Sequence, residues 1–400
     1  MTADRRTIAA AAILMDMAFG TIQAWSVFRN PLMEAYGWTI SDVTFTYTLH
    51  YAMFGVGAFL GGLWIGRAGP RKAGLAAGML YGFGVILASY SEGRLGILYA
   101  AYGLMAGLGR GVGGVVAVTT VVRWFPDKRG TASGLTGLGF GTGTLIAAPL
   151  AAYLITAMGP LATFRVLGTA YLAIVLGTAL VMRNPSPGFV PTGWNPETAL
   201  PGQQAIRSYT LLESLRTRQL YVLFGLVFLN ALAGLGLVSQ AAPMAQEVTG
   251  AKAVMAGGMV GLMAFAYAAG RFSWALFSDR IGRKQSFAIL FLIQAVAFGI
   301  LPLAEHFPVF SALAIIAFLC HGGIVGVMPA FLADCFGPDH VGSLFGLTIA
   351  AQAVGGILGP MLQAFLREST GTYTQALVTV AVLMAAAAAI SAVEKFRVSP

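Results

Sequence analysis

The chain has 400 residues, of which 57% are hydrophobic and only 10% charged, with a mean hydropathy of +0.78. A soluble domain carries about a quarter charged residues, so the composition excludes a soluble enzyme or binding domain and indicates a polytopic helical membrane protein. The net charge of +9 sits in short loops between apolar runs rather than on one basic face, which excludes nucleic acid as a partner and reports topology instead.

The N-terminal MTADRR leads into an apolar run of about twenty residues, too long for a signal-peptide core and without an A-x-A-like cleavage site, so it is predicted to stay as the first span. Twelve spans follow one another at roughly 8–29, 42–65, 73–90, 95–122, 131–155, 162–182, 219–240, 253–277, 285–303, 308–333, 343–366 and 373–394, each near the ~20 residues a bilayer crossing needs. Turn chemistry marks the breaks at Asn30-Pro31, Gly69-Pro70, Pro126-Asp127, Gly159-Pro160 and Gly337-Pro338. With both termini inside, seventeen Lys and Arg fall on the cytoplasmic side and five (Arg29, Arg94, Arg165, Lys252, Arg367) on the other, an asymmetry that predicts cytoplasmic termini by the positive-inside rule. A plasma (inner) membrane location is expected.

The longest polar segment, 183–218, is rich in Pro and Gly and reads as a cytoplasmic linker between an N-terminal six-helix bundle, 1–182, and a C-terminal one, 219–400. Two repeats support that division. GGLWIGRAGPRKAG at 61–74 echoes SWALFSDRIGRKQS at 273–286, and the stretch 124–154 echoes 335–366, both at an offset of 211–212 residues. Two motifs recurring in order at one offset mean duplicated halves of parallel topology. The fold class is therefore all-α, twelve transmembrane helices in two bundles.

Two arginines, Arg110 and Arg271, lie inside spans. A cation at bilayer depth costs at least about 2.5–3.5 kcal/mol, so each is expected to face a protein interior or a watery cavity. The competing reading of Arg271 is a side chain that snorkels to the cytoplasmic side, since Ser278 lies roughly 10 Å further along the helix. Asp16 in the first span forms either a structural pair with Arg110 or a titrating, proton-coupling site. Gln23, Trp25, Asn230, Gln240, His321 and Gln352 are further polar or aromatic candidates, and Tyr267 with Trp25 suits the wall of a small pocket. The glycines of 130–143 and 355–359 read as packing features. Neither Cys320 nor Cys335 has metal or disulfide spacing, and no H-E-x-x-H, G-x-S-x-G or Walker loop is present, so neither a metal, a cofactor nor catalysis is expected.

The loops GLWIGRAGPRK (62–72) and SDRIGRK (278–284) resemble the signature loop of the major facilitator superfamily, found after helices 2 and 8. That resemblance implies a conformational latch built on Arg67, Arg71 and Lys72 in one half and Asp279, Arg280, Arg283 and Lys284 in the other, with Gly66 where the first copy would carry an acid. Within the superfamily, GTIQAWSVFRNPL (20–32) with Gly37-Trp38, RWFPDKRGTASG (123–134) and FLADCFG (331–337) look like the oxalate/formate antiporter family and its monocarboxylate-transporter relatives. The likeness implies alternating-access transport of small carboxylates by a functional monomer, with Arg271 as substrate ligand. The charge set departs from both subfamilies: the eleventh span holds no lysine, Tyr267 stands where proton-coupled members carry an aspartate, and Trp25 aligns with their helix-1 lysine. Monocarboxylates, by proton symport or anion exchange, are the expected substrates. The alternatives are an oxalate-like dicarboxylate clamped by Arg110 and Arg271, or a non-transporting membrane sensor.

Overall fold

The computed structural model describes residues 4–186, 188–191, 194, 208–394 and 396, and among them there is no β-strand. Nine of their helices are long and apolar enough to cross a membrane, as expected where lipid supplies no backbone partner and each segment must satisfy its own. Two of the nine are double. Ile40–Ala88 breaks at Gly69 (φ 79°, ψ 162°) into α2 (40–68) and α3 (70–88), and Arg129–Val181 breaks at Gly159 (φ 80°, ψ 167°) into α5 (129–158) and α6 (160–181). That backbone region is open essentially to glycine alone, and the proline after each glycine suits the first turn of the next helix. A further segment, α1 (5–36), is Arg5–Gly20 and Trp25–Tyr36 joined by the 3-10 turn Thr21–Ala24.

The remaining segments are α4 (Leu95–Trp124), α7 (Arg218–Thr249), α8 (Ala253–Ile281), α9 (Arg283–Ile300), α10 (Phe307–Phe336), α11 (Val341–Thr370) and α12 (Thr374–Val393). All twelve expected spans are thus helical. The seventh runs well past the expected 240, because its polar end is held: the Tyr373 hydroxyl donates to Gln240 Oε1 at 3.2 Å and Arg367 Nε to Glu247 at 2.8 Å before Gly250 ends the helix. Of the linker, residues 187, 192, 193 and 195–207 lie outside those described; its end rests on α10, where Tyr209 N donates to Phe336 O at 2.8 Å.

Helices α3, α6, α9 and α12 lie at the periphery. Gly74, Gly78 and Gly82 of α3 lie against Ala179, Leu176 and Leu172 of α6, and α9 packs on α12. Their other faces, with residues such as Met79, Leu180, Leu292 and Val382, are exposed and apolar, which is the surface a bilayer covers. The first six and last six helices meet along two seams. In one, α2 lies against α11 from Gly62 beside Gly342 to Gly55 beside Ala353; in the other, α5 lies against α8 from Gly130 beside Ala275 to Gly141 beside Ala268. Both seams run from the side that carries Arg5 and Glu394, here the terminal side, to mid-depth. Between α1 and α7 there is no pairing of comparable extent among the described residues. The two halves are therefore closed on each other at the terminal side.

Candidate functional site

At the inner end of both seams lies a cavity of about 80 Å³, lined from all eight interior helices: by Asp16 and Phe19 of α1, Tyr51 and Phe54 of α2, Arg110 of α4 and Phe140 of α5, and across the interface by Leu235 of α7, Tyr267 and Arg271 of α8, Phe318 of α10 and Gln352 of α11. Sequence periodicity alone does not position Arg110. A π-helical segment, Tyr99–Ala106, resets the register of α4 just before it, a device that recurs at functional sites.

Arg110 is 3% exposed, and its guanidinium carbon stands 4.1 Å from the ring centre of Phe54, 5.0 Å from Tyr51 and 5.5 Å from Phe140. Its Nε and Nη1 have no hydrogen-bond partner among the described residues. Arg271, 8% exposed, stands 5.4 Å from the same Phe140 ring and 5.9 Å from Tyr267, with Nε unpartnered among the described residues. Phe140, which the sequence did not single out, is therefore the shared wall of two cations contributed by opposite halves. Gly137, one turn before it, makes the room: a Cβ there would come within 2.7 Å of Arg271 Nε.

Asp16 lies within electrostatic reach of both arginines, yet no ion pair of 4 Å or less joins it to either among the described residues. Aromatic faces return about 0.5–2 kcal/mol to a buried cation, less than the cost of leaving guanidinium donors unmatched inside a membrane. The chemistry left open is that of an anion acceptor.

The other candidates fall elsewhere. Trp25 packs inside the first half, 4.5 Å from Tyr102 and in a stack with Phe28 and Phe164, away from the cavity. Asn230 ties three helices, donating to His321 O and accepting from Gln294 Nε2, both at 3.3 Å. His321 is fully buried behind Tyr267, their ring centres 5.4 Å apart. The Gln23 side chain lies outside the described residues.

The terminal-side seam carries a charge network. Asp279 at the end of α8 accepts from the first amides of α5, Gly130 N at 3.0 Å and Thr131 N at 2.8 Å, and from the Thr131 hydroxyl at 2.7 Å, so a carboxylate caps the positive end of a helix in the opposite half. Arg283 donates to Asp279 at 2.7 Å and to Asp334 of α10 at 2.8 Å, and Arg129 of α5 reaches Asp334 at 2.6 Å. On the other seam Arg123 donates to the carbonyls of Pro338 and Asp339 in the α10–α11 turn. Among the expected latch residues, then, Asp279 and Arg283 lie in the network. Arg67, Arg71, Lys72 and Arg280 are exposed and Lys284 is partly so, without an ion pair among the described residues: the first copy of the loop has Gly66 in place of an acid, and in the second Asp279 is taken up by Arg283 and the start of α5. Arg129, Asp334 and Arg123 were not anticipated, although Arg123 and Asp334 occupy equivalent places in the two repeats.

The family model described as Major Facilitator Superfamily matches residues 8–265 and 223–399. The chain belongs to this superfamily. Among curated members it is 29% identical to the "Oxalate:formate antiporter" of Oxalobacter formigenes over 92% of this chain and 86% of that one. It is 26% identical to human "Monocarboxylate transporter 2" over 92% and 80%, and 26% identical to "Apicoplast pyruvate carrier 1" of Toxoplasma gondii over 83% and 71%. In fold it is similar to the superfamily transporter FucP in the outward conformation, at TM-score 0.74 and 16% identity over 96% and 97% of the chains. The human organic anion transporter MFSD10 is likewise similar, at TM-score 0.73 and 18% identity over 98% and 100%. The protein is a multi-pass membrane transporter of the superfamily, not an enzyme.

Proposed function

We propose that the chain is a secondary active transporter of small organic anions, monocarboxylates of the lactate, pyruvate and formate kind first, working by alternating access around the central cavity. The observation that carries this reading is the pair of buried arginines, one from each half, with unpartnered donors over one Phe140 ring. A guanidinium forks onto a carboxylate, and a bound anion touching both halves is the group whose release lets them part. The printed substrates of the three relatives, oxalate and formate, monocarboxylates and pyruvate, support the same class. Arg271 and Arg110 bind, Tyr267 walls the site, Gln352 orients the ligand, and Asp16 carries whatever proton is coupled to transport.

With both termini on the cytoplasmic side of the plasma (inner) membrane, the closed seams make this the outward-facing state, and the Asp279, Arg283, Asp334 and Arg129 network is its latch. The division 1–182, linker 183–218 and 219–400 fits the end of α6 at Val181 and the start of α7 at Arg218. A monomer suffices, since one chain contributes both sides of the cavity. The second reading, an oxalate-like dicarboxylate clamped end to end, draws on the same two arginines. Uptake of labelled lactate, pyruvate, formate, oxalate and succinate into proteoliposomes, with and without a pH gradient or internal anion, tests the proposal: accumulation of at least one carboxylate supports it. Binding without movement would make the chain a sensor, and neither binding nor movement would overturn the class.

A further inference from the structure

We infer that Asp16 sets the valence of the anion the cavity accepts: ionised, it makes the site a monoanion site, and protonated, a dianion site, so that a dianion and a proton exchange against a monoanion without net charge movement. This rests on the carboxylate reading above. It follows from a charge count in a closed space. Two guanidinium cations and one carboxylate line the same cavity, and Asp16 forms a direct ion pair with neither arginine among the described residues, so its charge is free to be matched by the ligand's.

The groups facing Asp16 from the other helices are Arg110 of α4, Arg271 and Tyr267 of α8 and Tyr51 of α2, while Phe140 of α5, Leu235 of α7, Phe318 of α10 and Gln352 of α11 bring no charge. On α3 the Tyr81 hydroxyl is engaged with Ala18 O at 3.2 Å. Asp16 is thus the one carboxyl group in the cavity wall among the described residues, and its proton the one that changes the balance there. Moving a cavity across the membrane is least costly when its contents are neutral, because uncompensated buried charge is penalised in low dielectric. Two arginines with ionised Asp16 are neutralised by one monoanion, and two arginines with protonated Asp16 by one dianion. In one cycle a dianion and a proton enter and a monoanion leaves: one net negative charge moves in each direction.

The test uses purified full-length protein in liposomes whose potential is clamped with potassium and valinomycin, with oxalate and formate as probes. External oxalate against internal formate is expected to be insensitive to the potential and stimulated by an acid exterior; formate–formate exchange is expected to ignore both. Oxalate affinity should strengthen as the pH falls, by up to about tenfold per pH unit, with formate affinity flat, because one proton is taken up with the dianion alone. Asp16→Asn, fixed at the dianion setting, is expected to lose the pH response and to become potential-sensitive. Potential-driven oxalate–formate exchange in the unmodified protein overturns valence matching while leaving carboxylate transport standing, and this arm does not depend on the variant folding. If no carboxylate is carried at all, the transport reading fails first and this inference with it.

Discussion

Arg271 and Arg110 are costly residues at bilayer depth, and the structure gives them aromatic faces but no full complement of acceptors. If a carboxylate is the missing acceptor, Arg271→Gln removes a buried charge-assisted contact worth about 2–5 kcal/mol and lowers apparent affinity at least about 30-fold, with normal expression; Arg271→Lys restores little, because a point charge cannot fork. Uptake kinetics on matched protein amounts check this, and unchanged uptake would favour a side chain that merely snorkels. Gly137→Ala makes a separate demand. Its added methyl would collide with Arg271 Nε, so transport is expected to fall about tenfold or more beside a stability cost of about 1–3 kcal/mol for overpacking a buried site; wild-type transport in Gly137→Ala would show that Arg271 works from a different seat than the one beside Gly137. The two arginines were legible in the sequence, since an ionisable residue inside an apolar run announces itself. Phe140 was not, because in a glycine-rich helix one aromatic among apolar neighbours carries no signal until the fold sets it between two cations. Nor was the fate of Asn230 and Trp25, polar or aromatic residues whose spacing is the same whether they face a cavity or a neighbouring helix.

At the scale of helices, the span count and the breaks at Gly69 and Gly159 followed from hydropathy and Gly-Pro turns, which are local. The Arg129 and Asp334 part of the charge network did not, because its bonds join residues 129 to 334 and 130 to 279 across the halves; only the repeat pattern hinted that the ends of α4 and α10 were equivalent. Asp334 is bonded by two arginines and is 8% exposed. Breaking such a buried set by removing the acid costs about 3–5 kcal/mol, and the loss falls on the closed terminal side alone. Asp334→Asn is therefore expected to shift the population toward the opposite state, read as increased labelling, from the terminal side, of a cysteine replacing the buried Ser343 in the α2–α11 seam. Labelling that stays at the wild-type rate would show the network to be packing rather than a latch.

For the molecule as a whole, duplicated halves, two glycine-lined seams closed on one side and a charged cavity at their inner end support the proposed alternating access, in which two states differ in which side the cavity meets. The central claim is that one small carboxylate is held jointly by Arg110 from the first half and Arg271 from the second. A double-mutant cycle on equilibrium binding tests it most directly, with the affinity for the best transported carboxylate measured by calorimetry in the unmodified protein, Arg110→Gln, Arg271→Gln and the double variant. Each single variant is predicted to lose affinity at least about tenfold, and the double variant to lose less than the sum of the two, because residues sharing one ligand couple. Wild-type affinity in either single variant would contradict the joint site.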